Sequence, residues 1–353
     1  MSVTKIVKLD PQNPNSHLIK EAAHVITSGG LVIIPTETVY GIAANMLDMQ
    51  ALARLYEIKG RPKDKPFSVH IDEKLRIEEF ATRIPVSAYK LIDKFWPGPL
   101  TLILKSKDNG AVGLRMPDDE IARHIIALAR IPVVCPSANI SGNPAPKNFQ
   151  EAIKDLQGKV DFAIDAGSTR LGVESSIVDF TLEPAQVVRE GALKKEEIEA
   201  VINKKTVLFA CTGNTCRSVM AAALLEKMLK DKNRHDVEVL SAGIIILAGF
   251  GATAGTKEVL KREGIDISGF RSQKVTKEMV KKSDIILVME KMHKERILHL
   301  APEAENRLFL LKEFAKISDN DLEVRDPIGH PIESYEKTFA VMKDAVERIS
   351  NII

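Results

Sequence analysis

Residues 206–218 read TVLFACTGNTCRS. An apolar run, Thr206 to Ala210, ends in Cys211, and a loop, Thr212 to Cys216, separates it from Arg217 and Ser218, where a helix-forming stretch begins. A strand that turns through such a loop into a helix presents its backbone N–H groups as an anion-binding nest. The helix start adds unpaired N–H groups and the positive end of its dipole. Gly213 and Asn214 tolerate the left-handed backbone that a nest requires. The planar fork of Arg217 spans two oxygens of one phosphate. The same field favours the thiolate of Cys211, the form that attacks. Thr212, Gly213, Asn214, Thr215, Cys216 and Ser218 are therefore the expected phosphate loop, shaped to hold a tetrahedral oxyanion against sulfur. A buried structural cysteine beside a surface arginine is the bland alternative. The ordered set of Cys, Gly, Asn, Arg and Ser at one strand-to-helix turn argues against it.

Downstream, Val219 to Lys230 has helical spacing, VEVLSAG (237–243) reads as a strand and Thr256 to Glu263 as a helix. SDIILVME (283–290) reads as a buried strand and Glu333 to Ile349 as a final amphipathic helix. Strands alternating with helices give a doubly wound parallel sheet with right-handed crossovers. In such sheets ligands lie at the carboxyl ends of the strands, where the Cys211 loop falls.

This loop, with SAG (241–243), GIDIS (264–268), RSQ (271–273), DIILVME (284–290) and Asp326-Pro327, resembles the low-molecular-weight protein-tyrosine phosphatase family over about residues 205–353. The resemblance implies that Cys211 is the nucleophile, that Arg217 binds the phosphoryl group and that Asp326 protonates the leaving group. An Asp ahead of a Pro fits a loop that reaches over the site, where a general acid must meet the leaving atom. Tyrosine-specific members have Ile or Leu where this chain has Thr215, and an aromatic pair where it has Ile328, Gly329 and His330. An apolar wall and an aromatic platform suit a phenyl ring. Thr215 resembles instead the bacterial protein-arginine phosphatase branch, which implies a phosphorylated protein carrying phosphoarginine ahead of phosphotyrosine. Val219-Met220-Ala221-Ala222 also departs from the family's Pro-Met-Ala-Glu.

The chain has 353 residues, more than one core usually serves, so a second domain is expected upstream. It is 44% hydrophobic with a net charge of +2, a balance that demands neither nucleic acid nor a membrane. No apolar run is long enough to span a bilayer, and MSVTKIVKLDPQNPN lacks the apolar core of a signal peptide. Cys135, Cys211 and Cys216 make no disulfide framework, so a cytoplasmic location is expected. No metal site is expected: Cys211 and Cys216 have no second Cys or His pair nearby. A reversible disulfide between them would shield the nucleophile.

Residues 16–29 have helical spacing, with Ser16 as the expected N-cap and Gly29-Gly30 as the stop. LVIIP (31–35) is a buried strand running into Thr36-Glu37-Thr38, either a site or a tight turn. A helix near 48–58 leads into the cations of Lys59 to Lys65, which Gly60, Pro62 and Pro66 shape into a loop. Such a loop suits a polyphosphate or an RNA backbone; a solvated charge run is the alternative. Strands are expected at Phe67–Ile71 and in LTLILK (100–105) and IPVVC (131–135). AVGLRMP (111–117) is strand-like and places Arg115 before a Pro, VDFAIDAG (160–167) leads into the GVESS stretch, and AQVVREGAL (185–193) closes the segment.

PTETVYG (35–41), KGRP (59–62), KPFSVH (65–70), WPGPLT (96–101), LRMP (114–117), PSANISG (136–142) and GVESSIVD (172–179) together resemble the YrdC-like threonylcarbamoyl-AMP synthase family. The resemblance covers about residues 5–198. It implies a twisted α/β sheet with a concave, positively charged pocket. It further implies that L-threonine, bicarbonate and ATP become threonylcarbamoyl-AMP and pyrophosphate, for modification of tRNA, with tRNA and tRNA-modification proteins as partners. ATP, a substrate accompanied by Mg²⁺, is placed by the resemblance against Lys59, Arg61, Ser137, Asn139 and Arg189. Threonine is placed against Thr36, His70, Arg115 and Ser175. The chain departs from the family's Glu-Ser-Thr with Glu174-Ser175-Ser176, and from its Arg-Pro-Gly with Arg189-Glu190-Gly191. ALKKEEIEAVINKK (192–205) reads as a last helix and a short tether. The expectation is an α/β protein of two domains, 1–198 and 205–353, forming a bifunctional enzyme. Two other readings stand beside it: the first domain as a mere RNA- or nucleotide-binding module, and the second as a sensor of phosphate or redox state.

Overall fold

Alternating apolar residues along Val32–Ile34 set the plan of the first half of the chain. Val32 and Ile34 join one core with Ile26, Ile125 and Phe162, while Ile33 joins another with Ile42, Leu55 and Val69. A strand buried on both faces needs elements above and below it. The computed structural model describes residues 3–108, 110–245 and 249–353. It divides into two units, Met1–Ile202 and Asn203–Ile353.

The first unit holds a ten-stranded mixed sheet. Its strands are β1 (Lys5–Lys8), β2 (Val32–Ile34), β3 (Gly41–Asn45), β4 (Val69–His70), β5 (Leu100–Lys105), β6 (Ala111–Arg115), β7 (Val133–Val134), β8 (Phe162–Asp165), β9 (Ser176–Asp179) and β10 (Gln186–Arg189). Their spatial order is β1-β8-β2-β3-β7-β4-β6-β5-β9-β10. Short β4 lies between β7 and β6, and the parallel register with β6 sets His70 opposite Arg115. Parallel pairing of β5 with β9 brings Thr101 beside the end of GVESS.

Several expectations need correction. Asn15, not Ser16, caps the first helix, Ser16–Thr27: its Oδ1 accepts the N–H groups of His17 and Leu18 at 2.9 and 3.4 Å, leaving Ser16 as the first helical residue. Lys59 is not part of the basic loop. It is the buried last residue of helix Met49–Lys59, which ends at Gly60 in the left-handed region, φ 58°. Phe67–Ile71 and IPVVC pair over only two residues each, because Pro66, Pro132 and Pro136 lack the N–H a ladder needs. Helix Lys195–Asn203 packs Ile198 into the first core, with Val201 and Ile202 against it, so that unit runs to Ile202.

The second unit is built on four parallel strands, β11 (Lys205–Cys211), β12 (Val237–Gly243), β13 (Ile285–Val288) and β14 (Leu308–Leu310), in the order β12-β11-β13-β14. The order reverses at β11, which opens a crevice at its carboxyl end. Cys211 is the last residue of β11. The following helix begins at Arg217, in the Arg217-Ser218 stretch where the sequence sets its start, and every residue from Arg217 to Leu225 is buried. Ala221 and Ala222 are small enough to allow that close packing. No helix among the described residues is long and apolar enough to cross a membrane.

Candidate active sites

In the first unit a cleft of about 210 Å³ is lined by every residue expected at ATP or threonine except Asn139, which stands just behind Lys59. At one end the Lys59 ammonium donates to the carbonyls of Ser137 and Asn139, both at 2.6 Å, and to Asn139 Oδ1 at 2.9 Å. The Ser137 hydroxyl donates to the same Oδ1 at 2.6 Å. Burial, and then repulsion from Arg61, pulls the Lys59 ammonium down to about 8. Arg61 donates to the carbonyls of Lys65 and Pro66 at 2.9 and 3.2 Å and lies 5.3 Å over the Phe67 ring. Lys63 and Lys65 are exposed. The basic stretch is thus divided between fixed cations and solvated ones.

At the other end Arg115 Nη2 donates to Glu37 Oε1 at 2.8 Å and to Thr38 Oγ1 at 2.6 Å. The arginine expected to meet a substrate carboxylate already holds one from the protein. Its Nε, the second oxygen of Glu37 and His70 Nδ1 are buried without a partner. Such atoms are rare and invite polar atoms of a ligand. Burial, then Arg115, lowers His70 to about 3, so the ring is neutral. The Thr36 hydroxyl is engaged locally, donating to Val39 O at 2.7 Å and lying 3.3 Å from the N–H groups of Thr38 and Val39.

Between the two ends, Ser175 Oγ is 2.8 Å from Thr101 Oγ1 and accepts from Arg189 Nη2 at 3.0 Å. Arg189 also donates to Ser175 O at 2.9 Å and to Glu174 Oε1 at 2.8 Å. Glu190 pairs with Lys194 at 3.1 Å and leaves Arg189 to the cleft. A Cβ on Gly191 would lie 2.2 Å from Glu174 O, so glycine lets the closing segment press against GVESS.

In the second unit the loop after β11 curls around Cys211. Asn214 takes the left-handed conformation, φ 49°, and its N–H points at Cys211 Sγ, 3.3 Å away. Asn214 Nδ2 donates to Ser218 Oγ and Ser241 Oγ, both at 3.0 Å, while its Oδ1 accepts the Gln273 N–H at 2.9 Å. Because Ser218 Oγ accepts from Asn214, its own hydrogen is free for Cys211 Sγ, 3.0 Å away. Two donors therefore face the sulfur, which stabilises negative charge when it departs as thiolate. No side chain caps helix Arg217–Asp231, so its first N–H groups stay open to an anion. A Cβ on Gly243 would meet the backbone of Gly213 at 2.9 Å, so β12 crosses close behind the loop.

Arg217 is almost wholly buried. Its Nη1 is held by Glu290 and by the Val324 carbonyl at 2.8 Å; its Nη2 donates to Thr212 Oγ1 at 3.1 Å and to Asp326. Its Nε has no partner. Both terminal nitrogens of the guanidinium are thus held by protein acceptors, and Nε is the one left for an incoming oxygen. Asp326 is only part-buried, next to the exposed Ile328. Cys216 Sγ lies 3.3 Å from Thr253 Oγ1, and Cys211 and Cys216 are both free thiols. Thr215 Oγ1 is 3.8 Å from the Cys216 sulfur.

Two families match the chain. One, described as telomere recombination, matches residues 24–191; the other, low molecular weight phosphotyrosine protein phosphatase, matches residues 206–352. The threonylcarbamoyl-AMP synthase of Pyrococcus abyssi is 40% identical over 240 residues, 65% of this chain and 68% of the relative. The protein-arginine-phosphatase of Geobacillus stearothermophilus is 40% identical over 144 residues, 41% of this chain and 93% of the relative. The chain belongs to both families. A solved Pyrococcus abyssi structure of the first family, complexed with L-threonine, aligns at 28% identity and a TM-score of 0.54, covering 87% of this chain and 99% of that one.

In the YrdC-like unit, sequence reasoning missed Glu37, Thr38 and Thr101 as site members. Glu37 stood in view at the end of an apolar strand, but nothing local says that a buried arginine will meet it. In the phosphatase unit it missed Glu290 and His293. Glu290 follows an apolar strand, a signal of the same kind as that at Thr36.

Proposed function

We propose that the YrdC-like unit is an L-threonylcarbamoyladenylate synthase and that the phosphatase unit is a cysteine-dependent protein phosphatase acting on phosphoarginine ahead of phosphotyrosine. The observation that supports this most is convergence: motifs spread over residues 35–191 close around one cleft, and those over 211–326 around one loop.

In the synthase, the threonine amine attacks the bicarbonate carbon, and water departs to leave a carbamate. A carbamate oxygen then attacks the α-phosphorus of ATP and pyrophosphate leaves. Lys59 and Arg61 face the charge that develops on the departing pyrophosphate. Arg115, neutral His70 and Ser175 hold the threonine end, where enclosure brings amine and carbon together. Arg189 spans both ends through Ser175 and Glu174. Mg²⁺ enters on the phosphates of ATP as part of the substrate. The product serves tRNA modification, in a reducing cytoplasm that keeps the three cysteines as thiols.

In the phosphatase, Cys211 Sγ attacks phosphorus while Arg217 and the loop N–H groups hold the equatorial oxygens. Asp326 gives its proton to the leaving atom, then takes one from the water that cleaves the phosphocysteine. No aromatic platform follows Asp326-Pro327, and Thr215 puts a hydroxyl in the loop, which suits a guanidinium better than a phenyl ring.

Two assays test this. Carbon-labelled bicarbonate, ATP and threonine should yield a labelled adenylate that is absent when threonine is omitted. Matched phosphoarginine and phosphotyrosine peptides should differ in kcat/KM in favour of phosphoarginine; equal values overturn that preference.

A further inference from the structure

Helix Lys291–Leu300 carries a wholly buried histidine, His293, beside the phosphate site, for which the nucleophile, the arginine and the acid do not account. The Glu290 N–H lies 3.1 Å from His293 Nδ1 and can only donate. Nδ1 is therefore the acceptor, and the hydrogen of the neutral ring sits on Nε2. Nε2 donates in turn to Thr212 Oγ1 at 2.9 Å. The same oxygen accepts Arg217 Nη2 at 3.1 Å. Both lone pairs of Thr212 are then engaged, and its hydroxyl hydrogen has no acceptor among the described residues. Burial and Arg217 hold the ring neutral down to about 4, against the opposing pull of Glu290, Asp326 and Glu323.

We propose that His293 is a positioning residue of the phosphate site: its Nε2–H fixes the Thr212 hydroxyl so that the oxygen braces Arg217 and the hydrogen turns to the bound oxyanion. This rests on the phosphatase reading of the Cys211 loop. Aspartate or glutamate in place of the histidine could not serve, because neither donates when ionised.

Two variants separate positioning from mere helix capping. Asn at 293 places an amide oxygen near the depth of Nδ1, keeping the Glu290 contact without reaching Thr212. Gln reaches Thr212 with an amide N–H. Vanadate, a mimic of the pentacoordinate phosphoryl group, is the probe, with binding to the full chain read by calorimetry, independent of turnover. His293→Asn should bind vanadate roughly 10-fold more weakly, at an unchanged melting temperature, and His293→Gln should return to within about 3-fold of the parent. The kcat for p-nitrophenyl phosphate should follow the same order while KM moves less. Parent-like binding by Asn with impaired binding by Gln would leave only a capping role and overturn the proposal. If Asn unfolds the unit, Thr212→Val decides: the same loss supports the proposal and unchanged vanadate affinity refutes it. A parent chain that binds vanadate yet hydrolyses no p-nitrophenyl phosphate would fault the phosphatase reading, and the vanadate series would still judge His293.

Discussion

The cleft of the YrdC-like unit gathers its polar groups from stretches spread between Thr36 and Arg189, whereas the phosphatase loop draws all but Asp326 of its expected reacting groups from residues 211–218. In the loop, the reacting groups follow one another along the chain and distant partners then fix them: Asn214 is tied to Ser241 and Gln273 as well as to Cys211 and Ser218, and Arg217 is held by Glu290, Val324 and Asp326. In the cleft, sheet order does the same work: His70 meets Arg115 only because β4 pairs with β6, and Thr101 meets Ser175 because β5 pairs with β9. A site whose reacting groups lie on one segment concentrates its chemistry there and, on the phosphatase reading, depends on one sulfur atom. A site assembled across strands shares its charge stabilisation among several groups and should lose function in stages.

The largest expected effect tests the concentrated site. Cys211→Ser should lower phosphatase turnover by roughly 10⁴-fold or more, since no neighbour can take over the attack. Residual activity within about 10-fold of the parent would place the nucleophile elsewhere. Lys59→Ala probes the distributed site, and pyrophosphate release should fall by roughly 10²–10³-fold. A loss below about 5-fold would mean that Arg61 and Arg189 substitute for it, sharpening the contrast with the loop.

Next comes the pH profile. The Lys59 ammonium is held down to about 8 by burial and Arg61, so it is charged below that pH and neutral above it. kcat/KM for ATP in the synthase reaction should therefore decline as pH rises through about 8, and Lys59→Arg should remove that limb. A flat profile to pH 10 would show that the charge of Lys59 is not used.

The loop, by contrast, should show its titration in stability. Native His293 stays neutral down to about 4, whereas an unfolded histidine takes up a proton near pH 6.5. Stability is then complete above pH 6.5 and is lost as pH falls toward 4, by about 2 kcal/mol at pH 5. Urea unfolding of parent and His293→Gln should diverge in that window; parallel curves would contradict it.

The same contrast explains what could be read from the sequence. TVLFACTGNTCRS carries strand, nest and helix start in one line, and the structure places the loop at the reversal point of a parallel sheet, as such a sequence requires. The cleft motifs were each ambiguous alone and legible only as a set. Burial of Lys59 was hidden because its neighbours are charged and its partners, the Ser137 and Asn139 carbonyls, lie far away in the chain. Glu37 and His293 act through tertiary partners, and no local periodicity announces those. The N-cap passed from Ser16 to Asn15 because two good capping residues stand side by side, and only backbone geometry chooses between them.

The central claim, that the dispersed motifs form a working synthase cleft, is tested most directly by pyrophosphate release from ATP by the full chain. The assay is run with and without threonine and bicarbonate, beside a Lys59→Ala/Arg61→Ala variant. Release that requires both co-substrates and is abolished in the variant is the predicted result. Release at background level, or release indifferent to threonine, would contradict the claim and leave the first unit as a binder of nucleotide or RNA.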